Sequence, residues 1–415
     1  MSVAESARVR APRLPWPGLL LLAAGVFLSI TIEMLPTGLL PEMSEGLGVA
    51  EPFIGLLVSV FAFTVVVTST PLTALTSRMP RHGLLVLVLA MLGLTTLASA
   101  FVPEYWMLAS VRVVGGVAHG LFWAIVAAYA SRLVPEDRIG RAISVTLGGG
   151  TLALVAGVPA TTVLGQVIGW RPVFAIVAGL TLVGALAVWR FLPPVAVEAG
   201  ATAARFRRGD AALGPVLLVC AVTAATMLGQ YAVFTYVAPL ITDVVGLEPG
   251  AVGPLLFVYG VTGAIGLVIA GSPLARRPTT AIVTAMVVAA AALVVLGLAP
   301  GVVASLIAFA VWGLAFGAVP PLLQTRLLQA TPARQRDAAS ALYTTAFNVG
   351  IGGGALVGAV LFERIGVQGL PLLYAVVLVL VAVVLVGTST RHARRMRQPR
   401  SNVAVETGPV RASTA

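Results

Sequence analysis

Residues 17–40 read PGLLLLAAGVFLSITIEMLPTGLL and contain one charged side chain, that of Glu33. A helix of about 20 apolar residues crosses the ~30 Å hydrocarbon layer of a membrane, and this stretch is longer than that. The whole chain is similar: of its 415 residues 59% are hydrophobic and 10% are charged, whereas soluble proteins have about 25% charged residues. Because so few polar residues cannot cover a water-soluble surface, the sequence predicts a protein embedded in lipid. This excludes soluble enzymes and nucleic-acid-binding proteins, in spite of the net charge of +11.

The apolar stretches predict an all-α integral membrane protein with twelve transmembrane helices. They are continuous, whereas the strands of membrane barrels alternate between apolar and polar residues. The connections around Pro103 and Pro300 are short, so they predict tight antiparallel hairpins. We place the helices at 17–40, 52–76, 83–102, 104–131, 141–166, 172–192, 214–241, 250–273, 279–299, 301–326, 337–362 and 369–389.

The arginines predict the orientation of these helices. All 26 basic residues are arginine. If both termini are cytoplasmic, all but three arginines lie on cytoplasmic segments, with Arg171 and Arg364 outside and Arg112 within the bilayer. The stretch after Arg13 has no convincing cleavage site, so we interpret it as an uncleaved first helix. The sequence therefore predicts a multi-pass protein of the bacterial plasma (inner) membrane, whose basic tail, 391–415, faces anionic lipid headgroups.

An internal repeat divides the chain. A shift of 197 positions aligns Gly116 with Gly313 and Ile168-Gly169 with Ile365-Gly366, without a gap. We expect two pseudo-symmetric, parallel six-helix halves, an arrangement that encloses a central site able to open to either side. The predicted parts are an N-terminal bundle, a cytoplasmic linker, a C-terminal bundle and a basic cytoplasmic tail, at 1–192, 193–213, 214–390 and 391–415 respectively.

Two opposite charges are predicted to lie at matched depth. Glu33 is about 10 Å from the outer end of the first helix, at 1.5 Å per residue, and Arg112 is about eight residues into the fourth. A buried carboxyl is costly unless it is protonated, paired or hydrated. Burial favours the protonated acid and a nearby guanidinium favours the carboxylate, so a movement that separates the pair would bind or release a proton. The alternative is a static ion pair that only joins the two helices.

The fourth helix carries a polar and aromatic stripe. Arg112, His119 and Trp123 are spaced by seven and four residues, which places them on one helix face above Gly116. Such a face is typical of a hydrated cavity. His119 is a candidate for proton transfer, or alternatively an ordinary hydrogen-bonding residue, and Trp123 either stacks on a substrate or packs.

Further candidate site residues lie on three other helices. In the fifth, Gly157 permits close packing and Pro159 removes a backbone hydrogen bond where the bundle must bend or seal. The second half offers neutral amide, hydroxyl and aromatic groups, which suit a neutral or weakly charged organic substrate but would equally suit contacts between helices. These are Gln230, Tyr231, Phe234, Tyr343 and Asn348.

The sequence contains fragments of other functional motifs, but the residues around them do not fit those functions. Gly350-x-Gly352 resembles part of a dinucleotide fingerprint, but it lies within an apolar helix and no strand precedes it. Cys220 is the only cysteine, which excludes a disulfide within the chain and argues against a cysteine metal site. The three histidines are far apart, and no nucleophile and base form a convincing pair. The sequence predicts no cofactor, no metal and no enzymatic activity.

Three strings together resemble a known family. They are Glu33-Met-Leu-Pro-Thr-Gly-Leu-Leu-Pro41, Leu108-x-x-x-Arg112-x-x-x-Gly116 and Ala118-His119-Gly120-x-Phe122-Trp123. They resemble the major facilitator superfamily, in its twelve-helix drug:proton antiporter branch, and within it the bacterial arabinose, sugar and chloramphenicol efflux permeases. The resemblance covers about 17–390. It implies the major facilitator fold, a proton site at Glu33 and an arginine linked to proton coupling at Arg112.

Two motifs of that family are degenerate here. The loop between the second and third helices keeps Arg78 and Arg81, which the resemblance assigns to gating, but it has Ser77 and Pro80 where the family has an acid and a glycine. The antiporter motif of the fifth helix is reduced to Gly157-Val-Pro159. The direction of transport therefore depends more on the strings of the first and fourth helices.

We therefore expect a secondary active transporter that exports a small organic compound, drug or sugar-like, in exchange for protons by alternating access. Its expected partners are that substrate, protons and the lipid bilayer, with no nucleic acid, and we expect a monomer. The nearest alternative is a proton-coupled importer of a small neutral solute on the same scaffold. A more distant one is a membrane receptor that binds its ligand without moving it.

Overall fold

The computed structural model describes residues 15–76, 78–135, 138–195, 206, 209–271, 278–332 and 335–397, and the regular elements within these ranges are all helices. Most of the predicted linker and tail lies outside the described residues. We number the membrane-spanning helices α1 to α12 and call the face of the bundle away from both chain ends the outer face. The outer face holds, for example, the α1–α2 and α3–α4 connections.

The helices follow the predicted apolar stretches closely. In chain order they are α1 Trp16–Gly38, α2 Glu51–Leu75, α3 Arg81–Phe101, α4 Tyr105–Arg132, α5 Ile139–Leu152 continued by Val158–Ile168, α6 Trp170–Phe191, α7 Leu213–Phe234, α8 Val252–Ala270, α9 Pro278–Leu298, α10 Val302–Gln329, and α11 and α12 within Arg336–Arg397.

The last of these elements contains two helices. Arg336–Arg397 is 62 residues long, and Gly366 interrupts it with φ 71° and ψ 166°, values outside the helical region. We therefore separate α11 (336–365) from α12 (367–397). The described part of the chain has eleven elements long and apolar enough to cross a membrane, and this one accounts for two crossings. The prediction of twelve transmembrane helices is confirmed.

The helices α1 and α7 end earlier than predicted, and prolines explain these two ends. α1 ends at Gly38 and a short outer helix, Leu40–Leu47, follows it. α7 ends at Phe234 rather than at 241, and the chain continues through the short helix Val237–Pro239. Proline has no N–H to donate to the carbonyl four residues earlier. Pro41 and Pro239 therefore each remove one helical hydrogen bond at the point where the helix breaks.

Special backbone conformations recur in both halves of the chain. Gly48 and Gly246, 198 positions apart, have φ values of 63° and 76°, and Gly169 and Gly366, 197 positions apart, have values of 83° and 71°. Positive φ is strained for residues that have a Cβ atom, so glycine is required at these turns. The recurrence supports the predicted repeat.

The two halves of the chain meet along two pairs of helices. α2 packs against α11, and α5 packs against α8. At the outer face, Gln166 Nε2 of α5 donates a hydrogen bond of 2.7 Å to the carbonyl of Pro249 in the turn before α8. Glycines allow these close contacts: a Cβ atom on Gly260 of α8 would lie 2.6 Å from Val155 Cα of α5. In this conformation the halves are therefore in contact at the outer face.

Candidate functional site

Glu33 lies inside the bundle, near the outer end of α1. Only 4% of the residue is exposed. The helix around it is interrupted by Pro36, whose missing N–H leaves the carbonyl of Ile32 without its usual helical donor. Two acceptors, the main-chain carbonyl of Ile32 and the side-chain carboxyl of Glu33, therefore need hydrogen-bond partners from another helix.

Arg112 of α4 supplies the partner for that carbonyl. Its Nη1 donates a hydrogen bond of 2.9 Å to the Ile32 carbonyl and its Nη2 donates one of 3.0 Å to the Glu33 carbonyl. The guanidinium also lies 4.3 Å from the centre of the Phe61 ring, a cation–π contact. Arg112 is 3% exposed. Arg112 therefore contacts α1 through two main-chain carbonyls. One of them, that of Ile32, has no helical donor because of Pro36.

His119 of α4 lies beside the Glu33 carboxyl. Its Nε2 is 3.5 Å from Oε2 of Glu33, and its Nδ1 is 2.9 Å from Oγ of Ser29, which is one turn before Glu33 on α1. When Ser29 donates its proton to Nδ1, Nε2 keeps its own and directs it at the carboxyl. The two α1 side chains thus orient the imidazole, and the arrangement can hold or pass a proton.

The predicted stripe on α4 exists and packs on α2. The ring of Phe61 meets that of His119 edge-on at 5.0 Å, and the rings of His119 and Trp123 are 6.1 Å apart. Nε1 of Trp123 is buried and has no hydrogen-bond partner among the described residues. A donor in this position is available to a substrate or to water.

The structure thus brings Glu33, Arg112, His119 and Trp123 together, but not in the expected pairing. We expected the Glu33 carboxyl to meet the Arg112 guanidinium. Instead the Arg112 Nη atoms bind main-chain carbonyls, and the nearest basic group to the carboxyl is the His119 imidazole. The reason is Pro36, because the carbonyl that it leaves unbonded competes for the arginine.

Gly116 explains how α4 comes close enough to α2 for these contacts. A Cβ atom at this position would lie 2.9 Å from the Phe61 carbonyl oxygen and 3.0 Å from Cβ of Thr64. Gly313 of α10 faces α8 in the same way, where a Cβ atom would lie 2.7 Å from the Tyr259 carbonyl oxygen. The small residues therefore position the stripe, and the second half repeats the packing.

Pro159 of α5 lies at the contact between the halves, and Gly157 packs against Thr31 and Phe27 of α1. Residues Ala153–Gly157 form a π-helical turn, and Pro159 follows it without an N–H for the carbonyl of Val155. α8 packs against this part of α5 through Gly253 and Gly260. Wide helical turns of this type are frequent at functional sites. A movement between the halves would therefore change the packing at Pro159, while Gly157 links the π-helical turn to α1.

Gln230 joins three helices of the second half. Its Nε2 donates a hydrogen bond of 2.7 Å to the hydroxyl of Tyr259 on α8, and its Oε1 accepts one of 3.0 Å from Nε1 of Trp312 on α10. Gln230 is 1% exposed, and the ring of Phe234 lies 5.1 Å from that of Tyr259. The predicted substrate residues Gln230 and Phe234 thus have protein partners in this conformation.

The remaining predicted substrate residues also contact other parts of the protein. The hydroxyl of Tyr343 donates to the carbonyl of Pro320 at 2.8 Å, and Nδ2 of Asn348 donates to the carbonyl of Thr344 on its own helix at 3.0 Å. Tyr231 is half-buried and packs against α2 and α11 at the junction of the halves. Their role in binding a substrate stays a prediction.

The two predicted gating arginines lie at the inner face. Arg78 is exposed, and Arg81 is the first residue of α3. Arg81, Thr73, Tyr129 and Arg132 line a small cavity of about 60 Å³. The structure does not bring these arginines near Glu33, so any gating role acts at the inner end of the bundle.

Sequence reasoning missed Pro36, Ser29 and Phe61 as parts of the site. The first two have a local signal, because Pro36 follows Ile32 by four residues and Ser29 precedes Glu33 by four. Phe61 has none, because its role depends on how α2 packs against α4. A half-buried acid near the outer face, Glu42, was also overlooked: burial raises its pKa above the ordinary value of 4.5, and its Oε2 has no partner among the described residues.

Known proteins share the sequence pattern of most of the chain. The match to the Major Facilitator Superfamily covers residues 22–355 and, in a second alignment, 306–411. The chain belongs to the major facilitator superfamily. It is 36% identical over 352 residues to a chloramphenicol efflux pump of Mycobacterium tuberculosis, with 83% of this chain and 85% of the relative covered. This confirms the resemblance to the superfamily.

Other relatives and a solved structure agree. The chain is 29% identical to a probable sugar efflux transporter of Helicobacter pylori, over 82% of this chain and 87% of the relative. It is 33% identical to the transporter YtbD of Bacillus subtilis, which is described as uncharacterized, over 92% and 97%. A bacterial homologue of the human lysosomal transporter Spinster, in an inward-facing crystal structure, matches with a TM-score of 0.74 at 15% identity, over 94% of this chain and all of the other. The fold prediction is confirmed, and the protein is a membrane transporter of this superfamily.

Proposed function

We propose that this transporter exports a small organic compound in exchange for protons, by alternating access, and that Glu33 is the proton-binding group. One observation supports this above all. Among the described residues, Glu33 is the one acid at membrane depth, and it is buried beside an oriented imidazole, on a helix whose open Ile32 carbonyl is held by Arg112. Intramembrane charges are costly and mark ion or proton pathways.

The contacts suggest how a proton is coupled to movement. With Glu33 ionised, its carboxylate faces the imidazole of His119 and the field of Arg112. Protonation removes the negative charge and weakens both attractions, so α1 is held less tightly against α4, although Arg112 keeps its bonds to the main chain of α1. Because α1 contacts the segment Val237–Pro239 of the second half, a change in how α1 packs reaches the junction of the halves.

The proposed substrate is neutral or weakly charged. Trp123 and Tyr231 present an indole N–H and a phenol ring near the junction, and the described membrane-depth side chains of the second half carry no acid. Chloramphenicol and sugars, named for the relatives, are of this kind. Exchanging one proton for a neutral molecule moves one charge, which gains about 2.3 kcal/mol per 100 mV.

The proposed organisation follows the sequence prediction. Residues 1–192 and 214–390 are the two moving halves, joined by the linker 193–213, and the basic tail 391–415 lies with both termini on the cytoplasmic side of a bacterial inner membrane. Arg78, Arg81, Gly116, Gly157 and Pro159 are proposed to gate or support the movement. The protein is proposed to act as a monomer and without enzymatic activity.

Proteoliposomes test the proposal. We expect Glu33→Gln to abolish chloramphenicol or arabinose transport driven by a pH gradient, while exchange of labelled for unlabelled substrate at equal pH continues. Glu104→Gln, at an exposed acid in the α3–α4 connection, is the matched control and should transport like the wild type. Proton-driven transport that survives Glu33→Gln would contradict the proposal.

Import is the alternative on the same scaffold. The two directions share the proton site and differ in the sign of the fluxes. If substrate and protons enter the vesicle together, the protein is an importer. If they cross in opposite directions, it is an exporter.

A further inference from the structure

Thr37 of α1 and Thr235, directly after α7, are buried threonines without hydrogen-bond partners. Both are 0% exposed, and neither hydroxyl has a partner among the described residues. Most other buried threonine hydroxyls of the chain bond to the carbonyl four residues earlier, as that of Thr181 does. Native proteins satisfy such groups with protein atoms or with ordered water.

The two threonines occupy equivalent positions in the two halves. Gly48 and Gly246 have the same left-handed conformation at a spacing of 198 positions. The spacing is the same for α2 and α8. Thr64, which packs on Gly116, and Thr262, which packs on Gly313, are 198 positions apart. With a shift of 198 positions, Thr37 of the first half corresponds to Thr235 of the second.

The same shift places the two hydroxyls next to the proton site. It pairs Glu33 with Tyr231, which packs against α2 and α11 at the junction of the halves. Thr37 and Thr235 each follow by four residues, one helical turn outward on the same face. Equivalent residues near a two-fold axis face each other, and α1 contacts the segment after Thr235.

Each threonine also offers a main-chain acceptor at this place. Pro41 and Pro239, four residues on in each half, have no N–H to donate to the carbonyl of Thr37 or of Thr235. From this symmetry, and from the contact of α1 with the segment Val237–Pro239, we infer that two hydroxyls and two carbonyls face one another one turn outward from Glu33. A water molecule requires two to four such polar partners.

We propose that water bridging Thr37 and Thr235 relays protons between the outer surface and Glu33. This rests on the proposed function of Glu33. In the relay the water breaks one of its O–H bonds, the proton bonds to a Glu33 carboxylate oxygen, and the water regains a proton from its outer neighbour. One proton moves, and no oxidant or reductant is needed.

The closed outer face keeps this relay from leaking. Leu40 and Tyr236 lie outward from the threonines and are 0% exposed, so apolar and aromatic side chains separate the bridge from bulk water while the halves are in contact. When the halves part, the bridge joins the outer water. The charged and titratable groups beside Glu33 are the guanidinium of Arg112 and the imidazole of His119.

Valine and serine variants test the relay. Thr37→Val, Thr235→Val and the double variant keep the shape and remove the hydroxyls. With chloramphenicol as the probe, we expect the double variant to lose at least fivefold in proton-driven transport while counterflow at equal pH stays within twofold. Thr37→Ser with Thr235→Ser should restore the rate. In detergent, the valine variants should melt at a lower temperature, because bridging water loses its partners.

Two controls and the Glu33 variant make the result decisive. Thr181→Val removes a hydroxyl that is bonded within α6, and Ser305→Ala removes a buried unpartnered hydroxyl on α10; both should keep the wild-type proton-driven rate. A double valine variant that transports normally and melts higher would show a dry pair and overturn the inference. Equal losses of proton-driven transport and counterflow would also overturn it. If Glu33→Gln keeps proton-driven transport, the proposed function itself fails.

Discussion

At the scale of single residues, the site depends on a proline that changes what an arginine binds. Pro36 leaves the Ile32 carbonyl without its helical donor, and Arg112 donates to it at 2.9 Å. The carboxyl of Glu33 is then close to His119. Arginine suits this task because its planar guanidinium donates in two directions at once, which the ammonium of lysine does less well.

A double-mutant cycle tests the link between Pro36 and Arg112. Arg112→Gln leaves the Ile32 carbonyl buried without a donor, so it should destabilise the protein. In the background of Pro36→Ala the new N–H can satisfy that carbonyl. We therefore expect the cost of Arg112→Gln to fall by about 1 kcal/mol in that background, measured by unfolding in detergent. Equal costs in both backgrounds would contradict the assigned role of Pro36.

Gln230 provides a second test at this scale. Gln230→Leu leaves the Tyr259 hydroxyl and the Trp312 N–H buried without partners, at a cost of about 1–3 kcal/mol for each group. We expect a clear loss of stability in detergent and little change in the KM for substrate. An altered KM at unchanged stability would instead indicate that Gln230 binds the substrate.

At the scale of helices, small residues determine where the halves meet. Gly260 of α8 lies against the main chain of Leu154 and Val155, at the π-helical turn of α5. A glycine elsewhere on a helix, such as Gly179 of α6, has open space around it.

Gly260→Val tests this contact. The added carbon atoms would collide with α5 and prevent the halves from closing at the outer face. We expect transport to fall at least tenfold, measured as counterflow in proteoliposomes. Gly179→Val, the matched control, should keep its rate, and equal rates for both variants would contradict the importance of the α5–α8 contact.

Much of the fold could be predicted from the sequence, and the exceptions have physical causes. Hydropathy located the twelve spans because each apolar stretch must cross the same thickness of lipid. Hydropathy predicted the last residues of α1 and α7 less accurately, because these helix ends depend on Pro41 and Pro239. The depth of Glu33 and Arg112 predicted that they come together. The bonds of Gln230 to Tyr259 and Trp312 were beyond prediction, because they depend on packing between residues 29 and 82 positions apart.

At the scale of the whole molecule, closure of the outer face is predicted to depend on pH through Glu42. Burial raises the pKa of this carboxyl above 4.5, so the folded, closed protein binds the proton more tightly than the unfolded chain does. Its contribution to stability is therefore greatest below pH 4.5 and falls as the pH rises through the raised pKa. Above that pH the charged carboxylate disfavours the closed form.

Melting curves measure this dependence. We expect Glu42→Gln to flatten the fall in melting temperature as the pH rises above 4.5 and to raise the melting temperature at neutral pH. Glu104→Gln, at an exposed acid, should leave the wild-type curve unchanged. A Glu42→Gln curve that falls as steeply as that of the wild type would show that another group is responsible.

The central claim is that one carboxyl, that of Glu33, exchanges its proton as the protein binds its substrate. Proton release on substrate addition, followed with a pH dye on purified protein in weakly buffered detergent solution, measures this directly. We expect wild-type protein to release up to one proton per molecule and Glu33→Gln, where it still binds substrate, to release none. Equal proton release from the two proteins would contradict it.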